Sequence, residues 1–363
     1  MTGQGHRTFV DELARFAAGH VDPRVTAIAQ RAAAPLRVAV RGRRGVGCRT
    51  VRRALDGAGR SSGIEVEIPP VERGADATVY VITEVVKPED TEAIATAGHP
   101  VLAVLNKADL AGSLSGRGGD GPIAAARARC TELSALIGVP MEPMTGLLAV
   151  AALDDLDSTL WTALSTLAAH PGASACFDGS FARFLTADAP VPTEVRRRLL
   201  ETLDLFGTAL AVAAFRQGRT PAQVLTLLHR MSGVDGVMAR IGALGAEARY
   251  QRVLDAVAEL EALAVGGGRL GERISGFLSR DATVVARMAA AVDLAEAAGL
   301  DPGDRRPRDA HRDPSAHLPR AVRWQRYSRA SASELHRACG ADIARGSLRL
   351  WSQACASLPG DSW

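Results

Sequence analysis

The sequence predicts an α/β domain with a mostly parallel sheet and helices on both faces, followed by an all-helical C-terminal part. Between residues 36 and 170, short and almost continuously apolar segments alternate with segments of helical period, which is typical of parallel strands buried on both faces. After about residue 170 the strand-like segments stop and only helical period remains. A length of 363 residues leaves room for two or three domains, and a hydrophobic content of 47% allows a sizeable core.

The α/β part is predicted element by element from these segments. Apolar or β-branched segments predict strands at LRVAV (36–40), IEVEI (64–68), ATVYVITEV (77–85), VLAVLN (101–106) and PMEPMTG (140–146). Helical period, proline at helix starts and glycine at helix ends predict the intervening helices at 50–59, 88–98, 122–138 and 147–168.

The remainder of the chain is predicted to be helical on both sides of this domain. Pro35 closes an N-terminal helical segment, and a Pro-rich, charged stretch without periodicity predicts a linker or mobile loop. The predicted organisation is an N-terminal segment 1–35, an α/β domain 36–170, a helical domain 171–300, a linker 301–320 and a C-terminal helical segment 321–363.

Charge and cysteine usage exclude several classes of function. A net charge of +3 gives no argument for binding nucleic acid. The five cysteines contain no C-x-x-C pair and no accompanying histidine cluster, which argues against a zinc site or a disulfide framework. Since neither a signal peptide nor a membrane-spanning apolar stretch is recognisable, the sequence predicts a cytoplasmic protein.

A glycine-rich turn in RVAVRGRRGVGCRTV (37–51) joins an apolar strand to a helix. Its spacing is that of a phosphate-binding loop, G-x-x-x-x-G-K-[ST], whose backbone amides bind phosphate at a helix N-terminus. The alternative is a tight turn that merely needs glycine. The predicted phosphate-side residues are Gly42, Gly45, Gly47, Cys48, Arg49 and Thr50.

A second motif, N-K-x-D, follows the strand VLAVLN at Asn106, Lys107 and Asp109. The Asp109 carboxylate can accept two N–H groups of guanine in a bidentate pair, the Lys107 stem can lie along the base, and Asn106 can tie this loop to the glycine turn. The chain contains only two lysines, and one of them lies here. A chance tetrapeptide is the alternative, and Thr145-Gly146, after the next strand, is a weaker candidate for a backbone contact to the guanine oxygen.

With these motifs in this order, the chain resembles the P-loop GTPase superfamily, and its layout resembles that of bacterial, especially actinobacterial, dynamin-like GTPases. The resemblance covers roughly residues 36–265 and implies an α/β P-loop GTPase-like domain. It also implies GDP or GTP as ligand, and packing of the first helix against the last ones.

The departures from the superfamily pattern all affect the γ-phosphate side. Cys48 stands at the position of the lysine, and Arg49 stands at the position of the Mg²⁺-binding hydroxyl. Thr50 follows one residue after the position at which that hydroxyl is expected. Glu67 and Pro70 stand where D-x-x-G is expected, and proline has no N–H to offer a phosphate. Only 16 residues separate Thr50 from Glu67, which leaves no room for a switch loop. Since phosphoryl transfer depends on positioning and charge neutralisation, these changes argue against hydrolysis and against bound Mg²⁺.

The sequence therefore predicts a degenerate GTPase-like protein, without catalytic residues or metal ligands, that has lost GTP hydrolysis and retains at most weak guanine-nucleotide binding. It would act through a protein partner, either an active GTPase or a second copy of itself. The alternatives are a slow GTPase completed by oligomerisation or a partner, and peripheral association with the inner membrane. A redox role for Cys48, with its pKa lowered at a helix N-terminus, is a further alternative.

Overall fold

A computed structural model describes residues 3–20, 22–62, 74–112, 121–154, 156–171, 177, 180–301 and 314–356. The strand predicted at 64–68, with Glu67 and Pro70, lies outside the described residues.

The described residues up to Ala169 form four strands and seven helices. They are α1 (Gln4–Ala18) and α2 (Pro23–Ala32) before the sheet, then β1 (Val38–Gly42), α3 (Cys48–Ser62), β2 (Ala77–Ile82), α4 (Pro88–Ala95), β3 (Val101–Asn106), α5 (Pro122–Ile137), β4 (Met141–Met144), α6 (Gly146–Asp154) and α7 (Ser158–Ala169). Residues Ala108–Leu110 form a single 3₁₀ turn after β3.

Among the described residues after α7, all regular secondary structure is helical. The helices are α8 (Phe181–Thr186), α9 (Thr193–Arg216), α10 (Pro221–Ser232), α11 (Val234–Leu244), α12 (Ala246–Val265), α13 (Gly268–Ser279), α14 (Asp281–Ala297), α15 (Pro314–Ala330) and α16 (Glu334–Ala356). Helix α10 begins with a capping box, in which the Thr220 side chain accepts the Gln223 N–H and the Gln223 side chain accepts the Thr220 N–H.

The sheet is parallel throughout its four described strands, in the order β1-β2-β3-β4. Every residue of β2 and β3 is buried, so both faces of the central strands are covered. The prediction of a parallel α/β domain followed by helices is confirmed at this level. Since the carboxyl ends of parallel strands share one edge, the turns after β1, β3 and β4 lie along the same side of the sheet.

The chain divides into two compact units at 35/36 and 241/242, not at 170 as the sequence predicted. The first unit, Leu36–Ile241, includes helices α8 to α10 as well as the sheet. Helix α9 packs against α7 and α6, and α10 packs against α6, so that Leu164, Leu203 and Leu228 share one buried cluster. Helices α8 to α10 therefore pack with the α/β part, because they bury apolar faces against it.

The second unit joins Met1–Pro35 to Gly242–Trp363. Helix α1 packs on α14, and α14 packs on α16, around a core that includes Phe9, Tyr250 and Phe277. Helix α1 therefore packs against a helix of the C-terminal half and belongs to the same unit as the last helices. None of the helices among the described residues is long and apolar enough to cross a membrane.

The predicted linker 301–320 is corrected over its last part, where Pro314–Ala330 is helical. His317 and Arg320 are buried there, and Arg320 Nε donates to Ser347 Oγ of α16 at 2.8 Å. The sequence pattern missed the start of this helix, residues 314–320, because that part is charged and contains Pro319, and the helix packs against α16.

Buried His6 in the second unit should make folding sensitive to mild acid. Its Nε2–H donates to the carbonyl of Ala32 at 3.1 Å, and burial, followed by the charge of Arg249, lowers the pKa of His6 from 6.5 to about 4. On acidification, the unfolded chain therefore binds a proton at His6 at a higher pH than the folded protein does. The stability due to neutral His6 is complete above pH 6.5 and is lost as the pH falls towards 4. The loss amounts to about 3 kcal/mol.

We expect His6→Gln to reduce the fall in unfolding free energy between pH 7 and pH 4 by about that amount, measured by chemical denaturation. The half-buried His229 on α10, changed in the same way, is the control. An unchanged pH dependence in His6→Gln would show that His6 is not held neutral.

Candidate functional site

The glycine turn between β1 and α3 contains two glycines that no other residue can replace without displacement. A Cβ at Gly42 (φ +153°) would lie 2.5 Å from the carbonyl oxygen of Val81 on β2. A Cβ at Gly47 (φ +90°) would lie 2.5 Å from Asn106 Nδ2. The turn is therefore packed tightly against the ends of both neighbouring strands.

The backbone amides of the turn are free to receive a ligand. Within the described residues, the N–H groups of residues 44–47 donate no hydrogen bond of normal geometry. They precede the first turn of α3, where the helix dipole also favours negative charge. The turn can thus bind an anion such as a phosphate group.

A buried carboxylate holds the start of this turn from the side of β2. Arg43 Nε donates to Asp90 Oδ1 at 2.8 Å, and the Tyr80 hydroxyl donates to the same oxygen at 3.1 Å. The backbone N–H of Lys87 donates to Asp90 Oδ2 at 2.9 Å. Burial, and then the bond to Asp90, raise the pKa of Tyr80 to about 12, so it remains a donor at physiological pH.

The first three residues of α3, Cys48, Arg49 and Thr50, are not oriented like the lysine and hydroxyl of a phosphate-binding loop. The Cys48 sulfur lies over Gly42, and burial raises the pKa of Cys48, which contradicts the proposed low-pKa thiolate. Arg49 is exposed and lines a cavity of about 480 Å³ bounded by α3, α6, α7 and α9. The Thr50 methyl group packs on Gly146, where a Cβ would approach it to 3.2 Å.

Asn106 ties its own turn to the glycine turn, as predicted, and it also bonds to the turn after β4. Its Nδ2 donates to the carbonyl of Val46 at 2.8 Å, and its Oδ1 accepts the N–H of Gly146 at 3.0 Å. Asn106 is 4% exposed and is the only asparagine in the chain. Both ends of its amide are engaged within the fold.

Lys107 and Asp109 have opposite environments. Lys107 has a left-handed backbone (φ 58°, ψ 42°) and an exposed side chain. Asp109 is only 5% exposed and has no ion pair among the described residues. Burial and then the charge of Asp204 raise the pKa of Asp109, against smaller opposing effects of its own amide and the Thr145 hydroxyl.

The predicted base contacts of Thr145 and Gly146 are already used by the chain. The Thr145 N–H donates to the carbonyl of Ser232, at the end of α10, at 2.8 Å, and the Gly146 N–H is held by Asn106. Gly233, next to Ser232, lies so close that a Cβ there would be 2.4 Å from the carbonyl oxygen of Pro143. The α10–α11 turn thus covers the end of β4.

Sequence analysis missed two residues that shape this edge, Ser232 and Asp204. Asp204 interrupts α9 with φ 60° and ψ −179°, a conformation that is essentially restricted to glycine and costs about 1–3 kcal/mol. The one local signal is that aspartate is a weak former of helix interiors. Ser232 acts through its backbone carbonyl, for which side-chain sequence gives no signal.

No known protein family, curated protein sequence or solved structure matches this chain. Its function is therefore inferred from the geometry of this edge of the sheet.

The Asn106 bridge should be a major local contribution to stability. Asn106→Ala leaves the Val46 carbonyl and the Gly146 N–H without their partner, at a cost of about 1–3 kcal/mol for each buried group. We expect chemical denaturation to show a loss of several kcal/mol for this variant. Thr131→Ala, which removes an exposed hydroxyl bonded to its own helix, is the control and should change stability by less than about 0.5 kcal/mol.

The two glycines of the turn with similar backbone angles should respond differently to alanine. Gly45 (φ +87°) has open space around its missing Cβ, whereas Gly47 (φ +90°) faces Asn106 Nδ2. Both variants have the same backbone strain, so the additional destabilisation of Gly47→Ala over Gly45→Ala reports the contact with Asn106. We expect it to be about 1–3 kcal/mol by chemical denaturation, and equal losses would contradict the described packing.

Proposed function

We propose that this protein is a degenerate GTPase-like protein that does not hydrolyse GTP and acts through contact with another protein. The observation that carries the proposal is that the two backbone amides expected to contact the base are already hydrogen-bonded within the chain. Ser232 accepts the Thr145 N–H, and Asn106 accepts the Gly146 N–H, so neither amide is free to bind a guanine oxygen.

The phosphate side supports the same conclusion. Cys48 packs over Gly42, Thr50 packs on Gly146, and Arg49 lines a cavity beside α6. Within the described residues, positions 48–50 therefore place neither a lysine nor a metal-binding hydroxyl at the glycine turn, although both are needed to stabilise a transferring phosphoryl group. The free amides of residues 44–47 favour weak, non-catalytic binding of a GDP or GTP phosphate group.

Exposed groups at the carboxyl edge of the sheet favour contact with a protein partner. Val85 and Leu110, which come after β2 and β3, are 48% and 49% exposed. The side chains of Lys107 and Arg44, which come after β3 and β1 at the same edge, are also exposed. Apolar groups rimmed by charge are typical of protein-binding surfaces. The partner we propose is an active GTPase or a second copy of this chain.

A slow GTPase is the second candidate, and Asp109 favours it. Its buried carboxylate has no ion pair among the described residues, and a guanine base would supply two N–H donors. In that case the α10–α11 turn would have to move away from Thr145 before the base could bind.

Turnover and binding assays on nucleotide-free protein test the proposal. With protein in excess over GTP, we expect no phosphate release above buffer, with or without Mg²⁺. Fluorescent GDP and GTP should bind on the order of 100 μM or more weakly. The binding that remains should be weakened by raised salt and little changed in Asp109→Asn, because it depends on the glycine turn.

Mg²⁺-dependent turnover that disappears in Asp109→Asn would overturn the proposal and identify a slow GTPase. The matched control is Asp154→Asn, which removes an exposed carboxylate on α6 that pairs with Arg53.

A further inference from the structure

Helices α15 and α16 form an antiparallel hairpin within the second unit. Two contacts fix how the helices lie beside each other. Arg320 Nε donates to Ser347 Oγ at 2.8 Å, and a Cβ at Gly340 would lie 2.9 Å from Ser328 Cβ. The first turns of α15 therefore lie level with the last turns of α16, and the end of α15 lies level with the start of α16.

Both helices contact Met288 of α14, and this contact identifies the side of the hairpin that faces the core. Arg320 Nη2 donates to Met288 Sδ at 3.7 Å, and a Cβ at Gly346 would overlap the Met288 side chain. Two residues that are two positions apart in an α-helix lie about 160° apart around its axis, because each residue advances by about 100°. Residues two positions from Arg320 or from Gly346 therefore point away from α14.

Four exposed apolar side chains lie on this outward side of the hairpin. Leu318 and Val322 lie two positions before and after Arg320, and they are 43% and 46% exposed. Leu348 has the same relation to the α16 residue that contacts α14, and Trp351 follows it by about one turn; they are 46% and 39% exposed. The register brings the four residues to the same end of the hairpin, and we call them the hairpin face.

The charges that border the hairpin face are mostly positive. Helix α15 contains four arginines and no acidic residue. Arg326 and Arg329 are exposed and have no ion pair among the described residues. Arg329 and Arg337 lie about two and a half turns from the residues that contact α14, and so on the outward side. Arg337 pairs with Glu334 at 3.5 Å, and an exposed pair of this kind contributes little.

An apolar surface bordered by unpaired arginines is complementary to a ligand that is apolar and acidic. Two antiparallel helices leave a shallow groove between them, in which a third helix can pack with apolar residues at positions i, i+3, i+4 and i+7. An anionic membrane has a matching charge, but membrane-binding helices insert protruding apolar side chains into the lipid. Here more than half of each apolar side chain is already covered, which favours a helix as the ligand.

We propose that the hairpin face binds an acidic amphipathic helix of a partner protein. The apolar residues of that helix would pack on Leu318 and Leu348, and its carboxylates would lie beside Arg326 and Arg329, nearer to the turn between α15 and α16. The hairpin face belongs to the second unit and uses no group of the glycine turn. It is thus a second protein-binding surface, and it does not depend on the function proposed for the carboxyl edge of the sheet.

Fluorescence anisotropy with a synthetic peptide tests this surface on the full chain. The probe is a labelled peptide of about 18 residues, about 27 Å long as a helix, with leucine at helical spacing on one face and glutamate on the other. We expect saturable binding that weakens at least about tenfold in Leu348→Glu, because the new carboxylate repels the peptide from the groove. Arg329→Glu should weaken binding and reduce its dependence on salt.

Two controls separate this surface from general stickiness. Leu136→Glu, which changes a 72% exposed leucine on α5 in the first unit, should bind the peptide like the unmodified protein. A peptide with lysine in place of each glutamate should not bind, and neither should a permuted peptide of the same composition. All three substitutions are at exposed positions, so the variants are expected to fold, which circular dichroism checks.

Equal binding of the peptide by Leu348→Glu and the unmodified protein would overturn the proposal, as would no binding at about 1 mM protein. Co-sedimentation with vesicles of phosphatidylglycerol and phosphatidylcholine that is lost in Leu348→Glu, without binding of the peptide, would overturn it in favour of a membrane. A dimer that dissociates in Leu348→Glu, measured by analytical ultracentrifugation without binding of the peptide, would overturn it in favour of a second copy of this chain.

Discussion

The Asn106 side chain is the connection on which the carboxyl edge of the sheet depends. One amide group donates to the glycine turn after β1 and accepts from the first residue of α6, and so it links three turns that are distant in sequence. Only a side chain with a donor and an acceptor on one short planar group can do both. Since α9 and α10 pack on α6, the position of α6 that Asn106 fixes also determines where these helices lie.

Because the fold itself uses hydrogen-bonding groups at this edge, fewer of them remain available to a ligand. A hydrogen-bonding group engaged in the fold is available to a ligand only if the ligand replaces its partner. The Thr145 amide would have to exchange Ser232 for a guanine oxygen, and the α10–α11 turn would have to leave the end of β4. Binding at the free amides of the glycine turn requires no such replacement or movement. We therefore propose that this edge binds an anion weakly and does not select a base.

Local patterns in the sequence predicted the parts of the fold that local interactions determine. The described parallel strands and the link from Asn106 to the glycine turn both follow from residue types at fixed spacing. The allocation of α8 to α10 to the sheet unit, the helical start at 314–320 and the strained Asp204 do not, because packing between distant segments decides them. A carbonyl such as that of Ser232 is present at every residue, so its role is visible only in three dimensions.

Asp109 lies in an environment that opposes its charge. It is 5% exposed, and burial, followed by the charge of Asp204, raises its pKa. A guanine base could offset this cost with two N–H donors, because a bidentate pair favours the charged carboxylate. Recognition of a base at this edge would still require the α10–α11 turn to leave Thr145, a displacement that binding at the free amides of the glycine turn does not require.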